Sequence, residues 1–443
     1  MTAGARLFLR AAIALACAGT LAVGPTAIVR QSCEADRAVA TLAAVSSGPV
    51  LTLRTETVRD LEYWLKDYEF IDAWNTTRGA GVTVAVIDTG VDGSVPDLVG
   101  AVTGGTDVSG LGAPNGQKPL GADGNHGTLV GSLIAGRGRG STAGVVGTAP
   151  ESSILSISVA LGGDAGAVNT DDQIAEAVRW AVDNGAKVIN MSLTRNSPQW
   201  PTSWDAAFKY AFEHDVVIVA AAGNRGSGTA EVGAPATIPG VLAVAGVSRK
   251  RQASLNASSQ GITIGVSAPS EQLVGVLPGG QYGTWAGTSG AAPIASGLVA
   301  LVRAAHPELS AANVINRVIS TASRKGDSYP SPIYGYGLIN ARTAVTDSVA
   351  LVEANPLGDL SEWIRLHRRG ESAPLPSEPP RAATAMPIPL PHEGRQAQLD
   401  ALIPSTQFLT SVGLPLALLF GFATLVSLGV AGATRHFKRL LRR

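Results

Sequence analysis

The stretch Val82-Thr83-Val84-Ala85-Val86-Ile87-Asp88-Thr89-Gly90 runs without a polar break except one threonine, then ends on a carboxylate and a glycine turn. Continuous apolarity rich in β-branched residues marks a strand buried on both faces, the signature of a parallel sheet covered by helices on each side. Further strand-like runs recur at residues 154–159, 187–193, 216–221 and 241–247. Helix-like runs alternate with them. One opens at His126 and continues through Val130, Leu133 and Ile134. A second, capped by Asp171, repeats Ile174, Val178 and Val182 and stops at Gly185. Residues 205–213 give a third, and two more follow Ser289, the latter capped by Ser310. Repeated strand–helix–strand units predict an α/β fold of three layers, with a mostly parallel central sheet and helices on both faces.

The chain has 443 residues, length for one large domain and tails. Formal net charge is zero and only 15% of residues are charged, against about 25% in ordinary proteins. No basic patch marks a nucleic-acid partner. Residues 1–30 read as a signal peptide: Arg6 and Arg10 precede an apolar run at 11–23, with small residues for cleavage around Ala16-Cys17-Ala18 or Pro25-Thr26-Ala27. Its removal would leave Cys33 as the sole cysteine, so no internal disulfide is expected. Residues 31–59 read as an N-terminal extension and 60–348 as the folded domain, its apolar pattern complete by Val345. Residues 349–405 form a linker whose stretch 373–392 is proline-rich, a semi-rigid spacer. Residues 401–434 carry no charge. The part at 406–434 is expected to cross the cell membrane as a helix, and the basic tail 435–443 then lies in the cytoplasm with the rest outside.

Three segments carry chemistry in the order Asp, His, Ser. Asp88 ends the apolar strand at the sheet edge where α/β proteins bind ligands. A carboxylate there can accept the Nδ1 proton of a histidine and fix its tautomer; taken alone it could equally cap a turn. His126, followed by Gly127-Thr128, starts a helix whose small residues permit close approach. An imidazole, titrating near pH 6.5 when unperturbed, suits a general base at neutral pH. Ser289 lies in Gly287-Thr288-Ser289-Gly290-Ala291-Ala292-Pro293, with almost no side-chain bulk around it. Pro293 belongs in a helix's first turn, which would place the serine hydroxyl at a helix N-terminus, where developing negative charge is favoured. Asn224, after Ala221-Ala222-Gly223, offers an amide donor to an oxyanion. In isolation each residue has a structural explanation, a cap or a turn. Together they are the equipment for cleaving an amide bond.

These segments resemble those of the subtilisin-like serine proteases (subtilases), over roughly residues 60–345 and including the closing segment Tyr334-Gly335-Tyr336-Gly337-Leu338-Ile339-Asn340-Ala341. The resemblance implies a subtilisin-like fold and serine endopeptidase activity on protein or peptide substrates. It makes Ser289 the nucleophile, His126 the base, Asp88 its orienting acid and Asn224 the oxyanion donor. It also makes Ser192, Leu193, Thr194 and Ala221, Ala222, Gly223 the two walls of the substrate cleft. The layout of signal, spacer, span and basic tail is similar to that of the mycosins, membrane-anchored subtilases of type VII secretion systems, and implies secretion-system components as partners. The family usually continues Ser192-Leu193 with glycines; here Thr194-Arg195-Asn196 follow. The short extension is too small for a folded inhibitory prodomain. No cofactor is required and no metal site is expected: no calcium loop stands out, and Asp164 and Asp171-Asp172 read as caps. Two other readings separate from this one experimentally. A lone aspartic-protease triplet at Asp88-Thr89-Gly90 would leave Ser289 and His126 without a role. A non-catalytic or dual-role scaffold subunit of a membrane secretion assembly would not need an activated serine.

Overall fold

In β1 (Thr83–Asp88) alternate side chains enter opposite cores: Val84 and Val86 one, Ala85 and Ile87 the other. That is the behaviour expected of an unbroken apolar strand. The computed structural model describes residues 55–162, 168–228 and 230–368, together with Gly432. The signal peptide, the proline-rich spacer, the basic tail, the span apart from Gly432, and Asp164 lie outside the described residues.

In chain order the elements are α1 (Thr55–Leu61), α2 (Tyr63–Asp67), α3 (Phe70–Ala73), β1, β2 (Val102–Asp107), α4 (Asn125–Ala135), β3 (Arg137–Arg139), β4 (Ala143–Val146), β5 (Ser153–Ser158), α5 (Thr170–Asp183), β6 (Val188–Met191), α6 (Thr202–Glu213) and β7 (Val217–Ala221). After these come β8 (Leu242–Val247), β9 (Ile264–Pro269), β10 (Leu273–Val276), β11 (Tyr282–Trp285), α7 (Thr288–Ala305), α8 (Ala311–Ser320), α9 (Ala341–Thr346) and α10 (Leu360–His367). Seven strands form one parallel sheet in the order β2-β5-β1-β6-β7-β8-β9. Successive strands β5 and β6 lie on either side of β1, which makes the C-terminal end of β1 a topological switch point. Helices α4, α7, α8 and α9 bury their apolar residues in the core on one face, and α5, α6 and α10 in the core on the other. The fold is the three-layer α/β architecture expected.

Helix α7 runs through the first core. It is the one helix among the described residues long and apolar enough to cross a membrane, yet 89% of that stretch is buried inside the protein. Its apolarity serves packing between β7, β8 and α4.

Three boundaries differ from the sequence reading. Helix α5 is capped by Asn169, whose side chain accepts the Asp171 N–H at 2.9 Å, and not by Asp171. The domain begins before residue 60: Val58 is fully buried, and Arg59 donates to the carbonyls of Gly144 (3.2 Å) and Ala143 (2.9 Å). It also continues past 348. Residues 349–368 fold against α6, α8 and the turn before β8 instead of beginning a linker: Asn355 Nδ2 donates to the Gly240 carbonyl at 2.9 Å, the Val352 N–H to Asn313 Oδ1 at 2.8 Å, Leu360 is buried, and the Trp363 ring lies 4.4 Å from that of Trp200. Arg368 closes the segment on Asp205 at 2.6 Å. The cause is legible afterwards: Leu360, Trp363 and Ile364 make one apolar helix stripe. Trp363→Ala should therefore lower stability by roughly 1–3 kcal/mol in urea unfolding; an unchanged midpoint would mean the helix is only peripheral.

The entry of the chain carries a buried acid. Glu62 accepts the Val146 N–H at 2.9 Å through Oε1, while Oε2 has no hydrogen bond and lies 3.4 Å from Arg59 Nε. Burial pushes its pKa well above the carboxylate range, Asp97 pushes the same way, and the Val146 bond and Arg59 only partly oppose them. A carboxyl with a raised folded-state pKa stabilises the fold below its unfolded pKa, and that stability is lost as pH rises through the folded value. The non-ionising Glu62→Gln variant should thus gain in melting temperature relative to wild type as pH rises above the unfolded carboxyl value of about 4.3. Parallel melting profiles would contradict this.

Candidate active site

Asp88 ends β1 at the switch point, fully buried and in register with Ser158 of β5. Its Oδ1 accepts the Thr89 N–H at 2.7 Å, so the carboxylate is fixed before any histidine arrives. Helix α4 then comes unusually close to the turn after β1. A Cβ on Gly127 would sit 2.3 Å from the Gly90 carbonyl oxygen, so any side chain there would push the helix away. The Gly127 N–H donates to Thr89 Oγ1 at 3.0 Å and locks the approach. His126 is placed as a result with Nδ1 2.8 Å from Asp88 Oδ1 and 2.9 Å from Oδ2. A carboxylate only accepts, so Nδ1 carries the proton and Nε2 presents its lone pair. Nε2 is buried and has no hydrogen-bond partner, and the Trp285 ring stands edge-on to the imidazole at 5.9 Å.

Ser289 is the second residue of α7. Pro293 sits in the second turn of this helix, not the first as expected. Lacking an N–H, it leaves the Ser289 carbonyl without its usual donor four residues on. Ser192 Oγ fills that place, donating to the Ser289 carbonyl at 2.9 Å. Behind it, Asn190 Nδ2 donates to Ser192 Oγ at 3.0 Å, and Ser296 Oγ to Asn190 Oδ1 at 2.9 Å. This chain ties the end of β6 to α7, and the proline that would destabilise an isolated helix is accommodated by it. The Ser289 hydroxyl itself donates to the Ser192 carbonyl at 3.1 Å and not to His126. Nucleophile–base contacts in unliganded sites are often long and tighten with substrate.

Asn224 follows β7 and is 5% exposed. Its Oδ1 accepts both the Thr288 N–H (2.8 Å) and Thr288 Oγ1 (2.9 Å). A backbone N–H can only donate, which fixes the amide orientation and leaves Nδ2 as the outward donor. Because β6 and β7 are parallel neighbours, the segments after them leave the same sheet edge, flanking α7. Ser192 and Gly223 touch the start of α7 directly, the latter through its N–H to Thr288 Oγ1 at 3.1 Å. Leu193, Thr194, Ala221 and Ala222 are buried beside them.

Asp171 is held by the Arg195 guanidinium. Among the described residues no group of three or more His, Cys, Asp or Glu stands close enough to hold a metal. Sequence reasoning missed Thr89, Thr288 and Trp285, which orient Asp88, Asn224 and the His126 surroundings. The signal for the first two was a threonine immediately beside a candidate residue.

A family model described as the subtilase family matches residues 79–337. The chain belongs to the subtilase family, whose members are serine-type endopeptidases. It is 39% identical over 271 residues to subtilisin DY of Bacillus licheniformis, a match covering 60% of this chain and 92% of that protein. Subtilisin E of Bacillus subtilis (strain 168) is 37% identical over 268 residues, 60% of this chain and just under two thirds (66%) of that one. Among solved structures, MycP1 from the ESX-1 type VII secretion system superposes with a TM-score of 0.56 at 28% identity, covering 72% of this chain and 92% of that one.

Proposed function

We propose that this protein hydrolyses peptide bonds in protein substrates through an acyl-enzyme on Ser289. The observation that carries this reading is the buried His126–Asp88 pair, with both carboxylate oxygens within 2.9 Å of Nδ1 and Nε2 left unpartnered. Ser289 Oγ attacks the scissile carbonyl and passes its proton to His126 Nε2, while Asp88 stabilises the imidazolium. The carbonyl electron pair moves onto oxygen, where Asn224 Nδ2 donates to the oxyanion. Collapse expels the amine, which takes the proton from Nε2. Water, deprotonated by the same nitrogen, then releases the acid and regenerates Ser289. The side chains of Asp88, His126 and Ser289 are 0–3% exposed, so each electrostatic contact acts in a low-dielectric setting where it counts for most. Labelling of Ser289 by a fluorophosphonate probe, lost in His126→Ala, is the expected result. A folded protein that never labels would leave the scaffold reading standing.

The apolar run at 11–23 and the uncharged stretch 401–434 followed by a basic tail support export and a single membrane anchor, with the domain outside. The likeness to MycP1 supports an association with a type VII secretion system. Protease added to intact cells should remove the catalytic domain from its tail; full protection would place the domain inside.

A further inference from the structure

The two cleft walls meet over Gly233. Its N–H donates to the Ala222 carbonyl at 3.4 Å, under one wall, while the next residue bonds the other: the Arg195 N–H donates to the Ala234 carbonyl at 2.8 Å and the Ala234 N–H to the Ser197 carbonyl at 2.9 Å. A Cβ on Gly233 would lie 1.9 Å from the Arg195 carbonyl oxygen and 2.5 Å from Thr194 Oγ1. Even a methyl group has no room at this floor. The walls themselves carry almost no surface: Leu193 and Thr194 are 1% exposed, Ala221 2% and Ala222 0%. Leu193, Ala221 and Ala222 are buried in the two cores, so it is Thr194, also 1% exposed and reaching Gly233, that takes up the space between the walls. Thr194 Oγ1 makes only a 3.2 Å bond to the neighbouring Arg195 carbonyl, so what the side chain supplies here is chiefly volume.

The segment is braced from behind. The Arg195 guanidinium is paired with Asp171 at the start of α5 and lies 5.8 Å from the centroid of the Trp204 ring of α6. The Trp204 indole N–H in turn donates to the Asp171 carbonyl at 2.9 Å. Moving Thr194 outward would require breaking a largely buried ion pair, so substrate binding is not expected to displace it.

We propose that Thr194 and the Arg195 carbonyl plug the slot between the cleft walls and restrict the residue on the acyl side of the scissile bond to Gly, Ala or Ser. This rests on the acyl-enzyme reading above, with the walls flanking Ser289.

The test is a set of peptide anilides differing only at that residue. One methylene in a closed pocket changes kcat/KM by about 10–200-fold, so Ala should exceed Leu and Phe by roughly 10²-fold or more. Thr194→Gly removes the plug's side chain and should raise the Leu-to-Ala ratio about tenfold or more. Thr194→Val, of the same shape, should keep the wild-type ratio. Binding of the same peptides to Ser289→Ala, read by calorimetry, should follow the same order without any chemistry. Leu or Phe cleaved or bound as well as Ala would overturn the proposal, as would a ratio unmoved by Thr194→Gly or relaxed equally by Thr194→Val. Absent hydrolysis with the binding order intact would support the plug and count against Ser289 as nucleophile.

Discussion

Ser289→Ala should abolish peptide hydrolysis, and His126→Ala should fall to the same residual rate. The expected loss in kcat is about 10⁶-fold for either, a magnitude established on a subtilisin and carried over through the family. In the proposed mechanism the two residues act on one proton, so removing the acceptor would leave Ser289 a weak nucleophile, and removing the nucleophile would leave His126 nothing to deprotonate. The double variant should therefore be no slower than either single one. Ser289→Ala does not threaten the fold, because the hydroxyl makes a single 3.1 Å bond to the Ser192 carbonyl and alanine suits a helix start. His126 is different. Its loss leaves the buried Asp88 carboxylate with its Thr89 bonds but no imidazole partner, so His126→Ala should also unfold at a lower temperature. Turnover of a fluorogenic peptide with parallel melting curves separates the two effects. Near-native turnover by either variant would exclude the acyl-enzyme mechanism.

The central sheet was readable where strands are buried on both sides. Residues 82–87, 154–159, 187–193, 216–221 and 241–247 are apolar because helices cover both faces, and each forms a parallel strand. The two edge strands escaped notice because neither is a continuous apolar run. In β2 the sequence Val102-Thr103-Gly104-Gly105-Thr106-Asp107 is half-exposed, and its pairing with β5 slips after Val102. At the other edge β9, buried throughout, interrupts its apolar residues with Gly265, Ser267 and Pro269. The order Asp88, His126, Asn224, Ser289 could be read from neighbouring glycines and alanines, because close approach demands small residues. What could not be read was the hydrogen bonding between distant segments. Ser192 supports the Ser289 carbonyl across 97 positions of sequence, and Thr288 meets Asn224 across 64. No local pattern encodes such a contact. Helix α10 was missed because a single short helix with four apolar residues, one of them the exposed Leu366, carries too little periodic signal once a proline-rich segment follows closely.

Asn224 offers the sharper test of how the site works, because its two amide atoms have separate duties. Oδ1 holds the start of α7 by accepting from Thr288 N–H and Thr288 Oγ1. On the proposed mechanism, Nδ2 is left to donate toward a developing oxyanion. Asn224→Ala removes both duties and should lower kcat by about 10²–10³-fold with little change in KM, the loss expected for one oxyanion donor. That result alone would not tell a lost donor from a displaced helix. Asn224→Asp does: it keeps an acceptor for Thr288 and replaces the donor by a second oxygen. If Nδ2 serves the transition state, the aspartate variant should be as slow as the alanine variant or slower, because a carboxylate would face the oxyanion. If Asn224 acts only by positioning α7, the aspartate variant should recover most of the rate. The fluorophosphonate labelling rate of the two variants checks the same point without a leaving amine. A rise in KM with kcat unchanged would instead assign Asn224 to substrate binding, because a bond formed equally with substrate and transition state leaves the chemical step untouched.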